Sequence, residues 1–195
     1  MPLRVLLLLL ALWNAVGEAD RAGLREIQSL RTPALESAMR AATGLGKREI
    51  VLGALLGIAI LDPTGGVTTA REAVLALLAT NGVVEAIKYG VNRVRPDGDR
   101  TRSNSSFPSG HTASAVALAI VLSRRWRRLR LAFGLLALTV AFSRVYLNRH
   151  YPSDVICAAI IGFATTHIVL AAFDWWRGPR KPRDRRPSTG AMVQA

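Results

Sequence analysis

The chain has 195 residues, half of them hydrophobic, and carries 26 Lys and Arg against 13 Asp and Glu, a formal charge of +13. This is room for one domain of ordinary size, and the apolar half excludes a disordered or fibrous chain. The single cysteine, Cys157, excludes an internal disulfide and a cysteine-based metal cluster, while the charge excess points to an anionic partner: nucleic acid, phospholipid or small phosphates.

In chain order, Arg4 precedes an apolar stretch from Val5 to about Trp13, followed by Gly17-Glu18-Ala19. Residues 1–19 therefore read either as a signal peptide or as a first transmembrane helix. Between Asp20 and Arg48, Thr32-Pro33 is an N-cap and N1 pair. Leu35, Met39 and Ala42 recur behind it at three- to four-residue spacing, and Gly44 and Gly46 end the pattern. An amphipathic helix at the membrane surface is expected there. Four apolar segments rich in Ala and Leu follow at Ile50 to Leu61, Ala70 to Ile87, Thr112 to Ser123 and Leu131 to Leu147; none alternates as a strand would. A fifth, Val155 to Phe173, has nineteen uncharged residues interrupted only by Thr165, Thr166 and His167. His167 is expected to be a hydrogen-bonded core residue. The pattern predicts an all-α membrane bundle of five to six transmembrane helices with one surface helix.

The connectors set the topology. RRWRRLR, Arg124 to Arg130, has five arginines in seven residues, and the Arg/Pro-rich stretch after Trp176 leads into a basic tail, 177–195, that reads as disordered. Both belong on the cytoplasmic side by the positive-inside rule. One crossing from either puts the connectors Lys88 to His111 and Asn148 to Asp154 together on the outer face of the inner or plasma membrane. Yet these outer connectors are themselves basic, with Lys88, Arg93, Arg95, Arg100, Arg102 and Arg149.

Those cations belong to a pattern: Lys88-x6-Arg95-Pro96, then Pro108-Ser109-Gly110-His111, then Ser143-Arg144-x5-His150-x3-Asp154. The three stretches KYGVNRVRP, PSGH and SRVYLNRHYPSD resemble the signature of the type 2 phosphatidic acid phosphatase superfamily, which includes membrane lipid phosphatases, soluble acid phosphatases and vanadium haloperoxidases. The resemblance covers about a third of the chain and makes 20–176 a phosphatase domain.

Residue chemistry agrees with that reading. Phosphoryl transfer needs positioning and charge neutralisation over the non-bridging oxygens. Arg95 and Arg144 offer planar forks and Lys88 a compact charge, all three assigned to phosphate binding by the resemblance. Ser109 and Gly110 open a helix whose free amides suit an anion. His150 and Asp154 are four apart, which puts them on one helical face unless Pro152 delays the helix start. The resemblance makes His150 the nucleophile forming a phosphohistidine, Asp154 its orienting carboxylate, and His111 the acid that protonates the leaving alkoxide and then activates water. Arg93, Arg100, Arg102 and Arg149 fall outside the pattern and read as solvated loop cations; Asn104-Ser105-Ser106 reads as a polar loop.

No metal or other cofactor is required, since three flanking cations would repel a divalent ion. The expected function is a metal-independent phosphatase for a lipid phosphate or pyrophosphate of the phosphatidic acid, phosphatidylglycerol phosphate or isoprenyl pyrophosphate type. Its partners are the membrane and its lipid substrate, with no nucleic acid. A secreted soluble acid phosphatase and a nonenzymatic basic anion-binding protein are the alternatives.

Overall fold

The computed structural model describes residues 2–98 and 104–178, which form seven α-helices: α1 (Pro2–Ser29), α2 (Pro33–Gly44), α3 (Arg48–Leu61), α4 (Gly66–Val91), α5 (Gly110–Arg125), α6 (Arg130–Tyr146) and α7 (Pro152–Arg177). No strand occurs among the described residues. The basic tail beyond residue 178 and the loop cations Arg100 and Arg102 lie outside the described residues.

Local signals explain several helix ends. Thr32 caps α2, its side chain accepting from the Leu35 amide at 3.2 Å with Pro33 behind it. Asn92 ends α4 in the left-handed region (φ 45). Pro152 occupies the first position of α7. The N-terminal segment is longer than its apolar run. Residues 17–29 hold no proline, and α1 continues to Ser29.

Among the described residues, three helices are long and apolar enough to cross a membrane: Gly66–Val91, Pro152–Arg177 and, with the 3-10 turn at Arg127–Leu129 that leads into it, Arg127–Tyr146. Their outward faces are apolar, as at Leu131, Leu138, Ile156, Ile160, Phe163 and Ile168. Trp175 and Trp176 stand out at the end of α7, where an interfacial aromatic belt belongs. His167 also lies on this outer face. It is not in the core: it is exposed, its ring nitrogen Nδ1 bonds the Phe163 carbonyl at 2.9 Å, and its ring packs on Phe163.

In lipid, apolar side chains gain little by leaving one apolar medium for another, so helices associate by close approach and by polar contacts. The core shows both. Ala73, Ala76, Ala113, Ala117 and Ala158 are fully buried where α4, α5 and α7 meet. Thr80 bonds Thr165 between α4 and α7 at 2.7 Å, and Asn81 bonds Ser114 between α4 and α5 at 3.1 Å. A β-carbon on Gly162 of α7 would stand 2.5 Å from the Ala113 carbonyl oxygen of α5, so only glycine admits this crossing.

At one end of the bundle, Arg125 holds Asp62 with a double hydrogen bond, and Arg124 pairs with Asp174. Two of the five clustered arginines therefore clamp helix ends. At the opposite end, the connector after α4 and the connector between α6 and α7 come together. Gly162→Ala should thus cost roughly 1–3 kcal/mol through overpacking. A lowered unfolding temperature in detergent is the expected readout, whereas Gly134→Ala, with nothing within 4 Å of its added carbon, should be neutral or slightly stabilising.

Candidate active site

After Asn92 the chain leaves α4 and pairs with the stretch before α5. The Arg93 amide donates to Ser105 Oγ at 2.9 Å, and the Ser106 amide donates to the Arg93 carbonyl at 2.8 Å. Ser109 then caps α5, and its hydroxyl accepts from the Thr112 amide and from Thr112 Oγ1. Because both bonds end on its oxygen, Ser109 keeps its own proton to donate. Its amide meets the Asp154 carbonyl at 3.2 Å, joining the start of α5 to the start of α7.

Helix α7 begins at Pro152, so His150 lies just before it in the loop, with Tyr151 as the N-cap residue. The proline's fixed geometry decides the alternative left by the sequence: His150 and Asp154 do not share a helical face. His150 is buried, and its Nδ1 lies 2.7 Å from the Ser106 carbonyl. A carbonyl only accepts, so Nδ1 carries the proton and Nε2 presents a lone pair. Asp154 stands 3.8 Å from Nδ1 and makes its short bonds elsewhere, to Ser106 Oγ at 2.5 Å and the Tyr151 amide at 2.8 Å. Burial, assisted by the Arg144 and Arg95 charges and opposed by Asp154, pushes the His150 pKa down to about 4. The imidazole is therefore neutral at physiological pH.

Arg95 reaches over this ring. Its Nη1 is 3.5 Å from His150 Nε2 and donates to the Arg149 carbonyl at 3.1 Å, while Nε and Nη2 grip the Asn104 carbonyl and side chain. Arg144, from the last turn of α6, is 8% exposed; its Nη1 donates to Thr43 of α2. Arg144 Nε is one of two buried side-chain polar atoms without a partner among the described residues. Such a donor is costly in a packed interior unless a ligand uses it. Lys88 lies against Gly110, its Nζ 3.9 Å from where a β-carbon on that residue would stand, and it pairs with Glu85 at 2.8 Å.

His111 occupies the first turn of α5, within electrostatic reach of Arg144, Lys88, Arg95 and His150. It lines, with Lys88, Gly110 and Ser114, a cavity of about 820 Å³ that continues between α3 and α4 past Leu52 and Leu77. A smaller apolar cavity of about 230 Å³, lined by Leu45, Leu118 and Leu136, shares Gly46, Val51 and Ser114 with it. Lys88, Arg95, Ser109, Gly110, His111, Arg144, His150 and Asp154 thus gather at one end of the bundle.

Sequence reasoning passed over several neighbours. Arg93, read as a solvated cation, bonds Asp154 and Asp20 at 2.6 Å each. Its place two residues before Arg95 was the available signal; nothing in the sequence singles out Asp20, Thr43 or Ser106. Arg149, by contrast, is a half-exposed loop cation paired with Asp97.

A family model described as the PAP2 superfamily matches residues 69–177. A lipid A 1-phosphatase of Porphyromonas gingivalis is 37% identical over 106 residues, 52% of this chain and 22% of that protein. The chain thus spans about a fifth of that relative's length. A phosphatidylglycerophosphatase B of Bacillus subtilis is 28% identical over 175 residues, covering 80% of this chain and 84% of the relative. Among solved structures, a transmembrane PAP2 type phosphatidylglycerolphosphate phosphatase from Bacillus subtilis superposes with a TM-score of 0.71 over 86% of this chain and 89% of its own, at 24% identity. That likeness is one of fold.

Two outcomes follow from this geometry. With His150 as nucleophile, its imidazole must be unprotonated, so the acid limb of kcat/KM should fall near pH 4, well below an ordinary histidine at about 6.5; a pH–rate series from 3 to 8 reads it. Where a carboxylate alone fixes the tautomer of a catalytic histidine, the amide variant loses about 10⁴-fold. Here the Ser106 carbonyl fixes it, so Asp154→Asn should lose only about 10²-fold in kcat, from lost charge stabilisation.

Proposed function

The chain belongs to the PAP2 superfamily, and from that membership and the geometry around His150 we propose that it is a metal-independent phosphatase acting on a lipid phosphate or pyrophosphate. Its apolar outer faces and its transmembrane relatives make it an integral membrane protein, which sets aside the soluble acid phosphatase. The observation that carries the proposal is the unpartnered Nε of Arg144, a residue within electrostatic reach of Arg95 and His150: a donor left over in a cationic pocket calls for an anion.

In the proposed reaction a phosphoryl group lies between Lys88, Arg95 and Arg144, with Ser109 Oγ and the Gly110 amide donating to its non-bridging oxygens. The Nε2 lone pair of His150 forms a bond to phosphorus as the bond to the leaving oxygen breaks. Burial and the surrounding cations hold the His111 pKa down to about 4, so His111 takes up a proton as the phosphate dianion binds and gives it to that oxygen. Water then loses a proton to His111 and attacks the phosphohistidine, releasing inorganic phosphate and restoring both imidazoles. The acyl or isoprenyl tail runs into the apolar part of the α3–α4 cavity, where Leu52, Leu77 and Leu78 line it. The site faces the outer side of the membrane, because it lies at the end of the bundle opposite the arginine cluster.

Purified protein in detergent, with chelator and no added metal, should release phosphate from at least one of phosphatidic acid, phosphatidylglycerol phosphate and an isoprenyl pyrophosphate. His150→Ala should abolish release while leaving a folded, monodisperse protein. Absence of release from all three by folded wild type would overturn the proposal.

A further inference from the structure

Asp20 is a carboxylate buried to 3% exposure on α1, outside the family-matched residues 69–177 and apart from every motif of the sequence. Its Oδ1 accepts from the Ser153 amide at 2.8 Å; its Oδ2 accepts from Ser153 Oγ and from Arg93 Nη2, each at 2.6 Å. The other arm of the same guanidinium, Nη1, donates to Asp154 Oδ1 at 2.6 Å and to Ser153 Oγ at 2.8 Å. The guanidinium lies 4.3 Å over the ring of Tyr151. Burial opposes the Arg93 charge, but the hydrogen bonds and charges of Asp20 and Asp154 outweigh it and raise its pKa above the ordinary value.

We infer that Asp20 and Arg93 are positioning residues, a carboxylate–guanidinium–carboxylate relay from α1 that fixes the rotation of Asp154 and so the field behind His150. The inference rests on the phosphatase reading above. The two oxygens of Asp154 have different duties: Oδ1 takes the Arg93 arm, and Oδ2 takes Ser106 Oγ and lies 3.8 Å from His150 Nδ1. Ser106 in turn holds Nδ1 through its carbonyl and hangs on the Arg93 carbonyl through its amide. Arg93 therefore touches both supports of the nucleophile, one through its side chain and one through its backbone. Buried ion pairs contribute little net stability, since desolvation offsets their attraction. Stability is thus a poor reason for Asp20 to be there, and orientation of the catalytic carboxylate is a better one. A lysine at 93 could not serve both carboxylates, lacking a planar fork.

A double-variant cycle on the full chain in detergent, using the lipid phosphate that wild type turns over fastest, tests this. Asp20→Asn should lower kcat about tenfold while KM and the inhibition constant of inorganic phosphate stay within about twofold. In an Asp154→Asn background the same change should alter kcat by less than about twofold, because a residue acting through Asp154 has nothing left to act on. Arg93→Lys repeats the cycle if Asp20→Asn does not fold. Additive losses, a parallel weakening of phosphate binding, or a wild-type rate in Asp20→Asn would each overturn the relay and leave the phosphatase reading standing. A folded wild type with no turnover would remove both.

Discussion

Like charges crowded in a medium of low polarity are the constraint on which this structure turns. Lys88, Arg95 and Arg144 converge beside two imidazoles at one end of an apolar bundle, and Arg144 is nearly buried. Such a group is unfavourable alone, since repulsion grows as solvent is removed. Part of the relief comes from within the chain: Glu85 on Lys88, the Asn104 and Arg149 carbonyls on Arg95, Thr43 on Arg144. The remainder is the unpartnered Nε of Arg144. A dianion with oxygens spread tetrahedrally meets that need, which is why the chemistry of the site points to phosphate.

The bundle holds this arrangement by close packing. Buried alanines on α4, α5 and α7 and the glycine contact at Gly162 bring the backbones together, and hydroxyl and amide pairs lock the register. The active loops then need little structure of their own. Ser105, Ser106 and Ser109 tie the stretch before α5 to Arg93 and to the start of α7. Two serines of what reads as a polar loop, together with the helix cap Ser109, thereby carry the alignment of His150, a backbone carbonyl and a carboxylate. The Nδ1 contact to the Ser106 carbonyl also frees Asp154 from fixing the tautomer, so that in the proposed reaction it acts by charge.

Much of the site was legible in the sequence because its parts are local in chain and fixed in spacing. Lys88, Arg95, Ser109, Gly110, His111, Arg144, His150 and Asp154 fall in three short stretches, whose resemblance to a family signature assigns them the phosphoryl chemistry that their types suit. The helices were legible as apolar segments, though α1 and α4 run well past them, since polar residues without a stop signal do not end a helix. His167 misled, because a polar residue in an apolar helix suggests the core, whereas its backbone bond to Phe163 lets it lie on the outer face.

Composition and pattern by themselves determined an all-helical apolar chain with clusters of cations in its connectors and tail, because period, charge and spacing are properties of neighbouring residues. Only the tertiary structure decided which groups touch. Asp20 meets Arg93 across 73 positions, Ser106 meets His150 across 44, and Thr43 meets Arg144 across 101. Contacts at such separation depend on how helices cross, and crossing is set by the shapes of packed side chains, which no local pattern records.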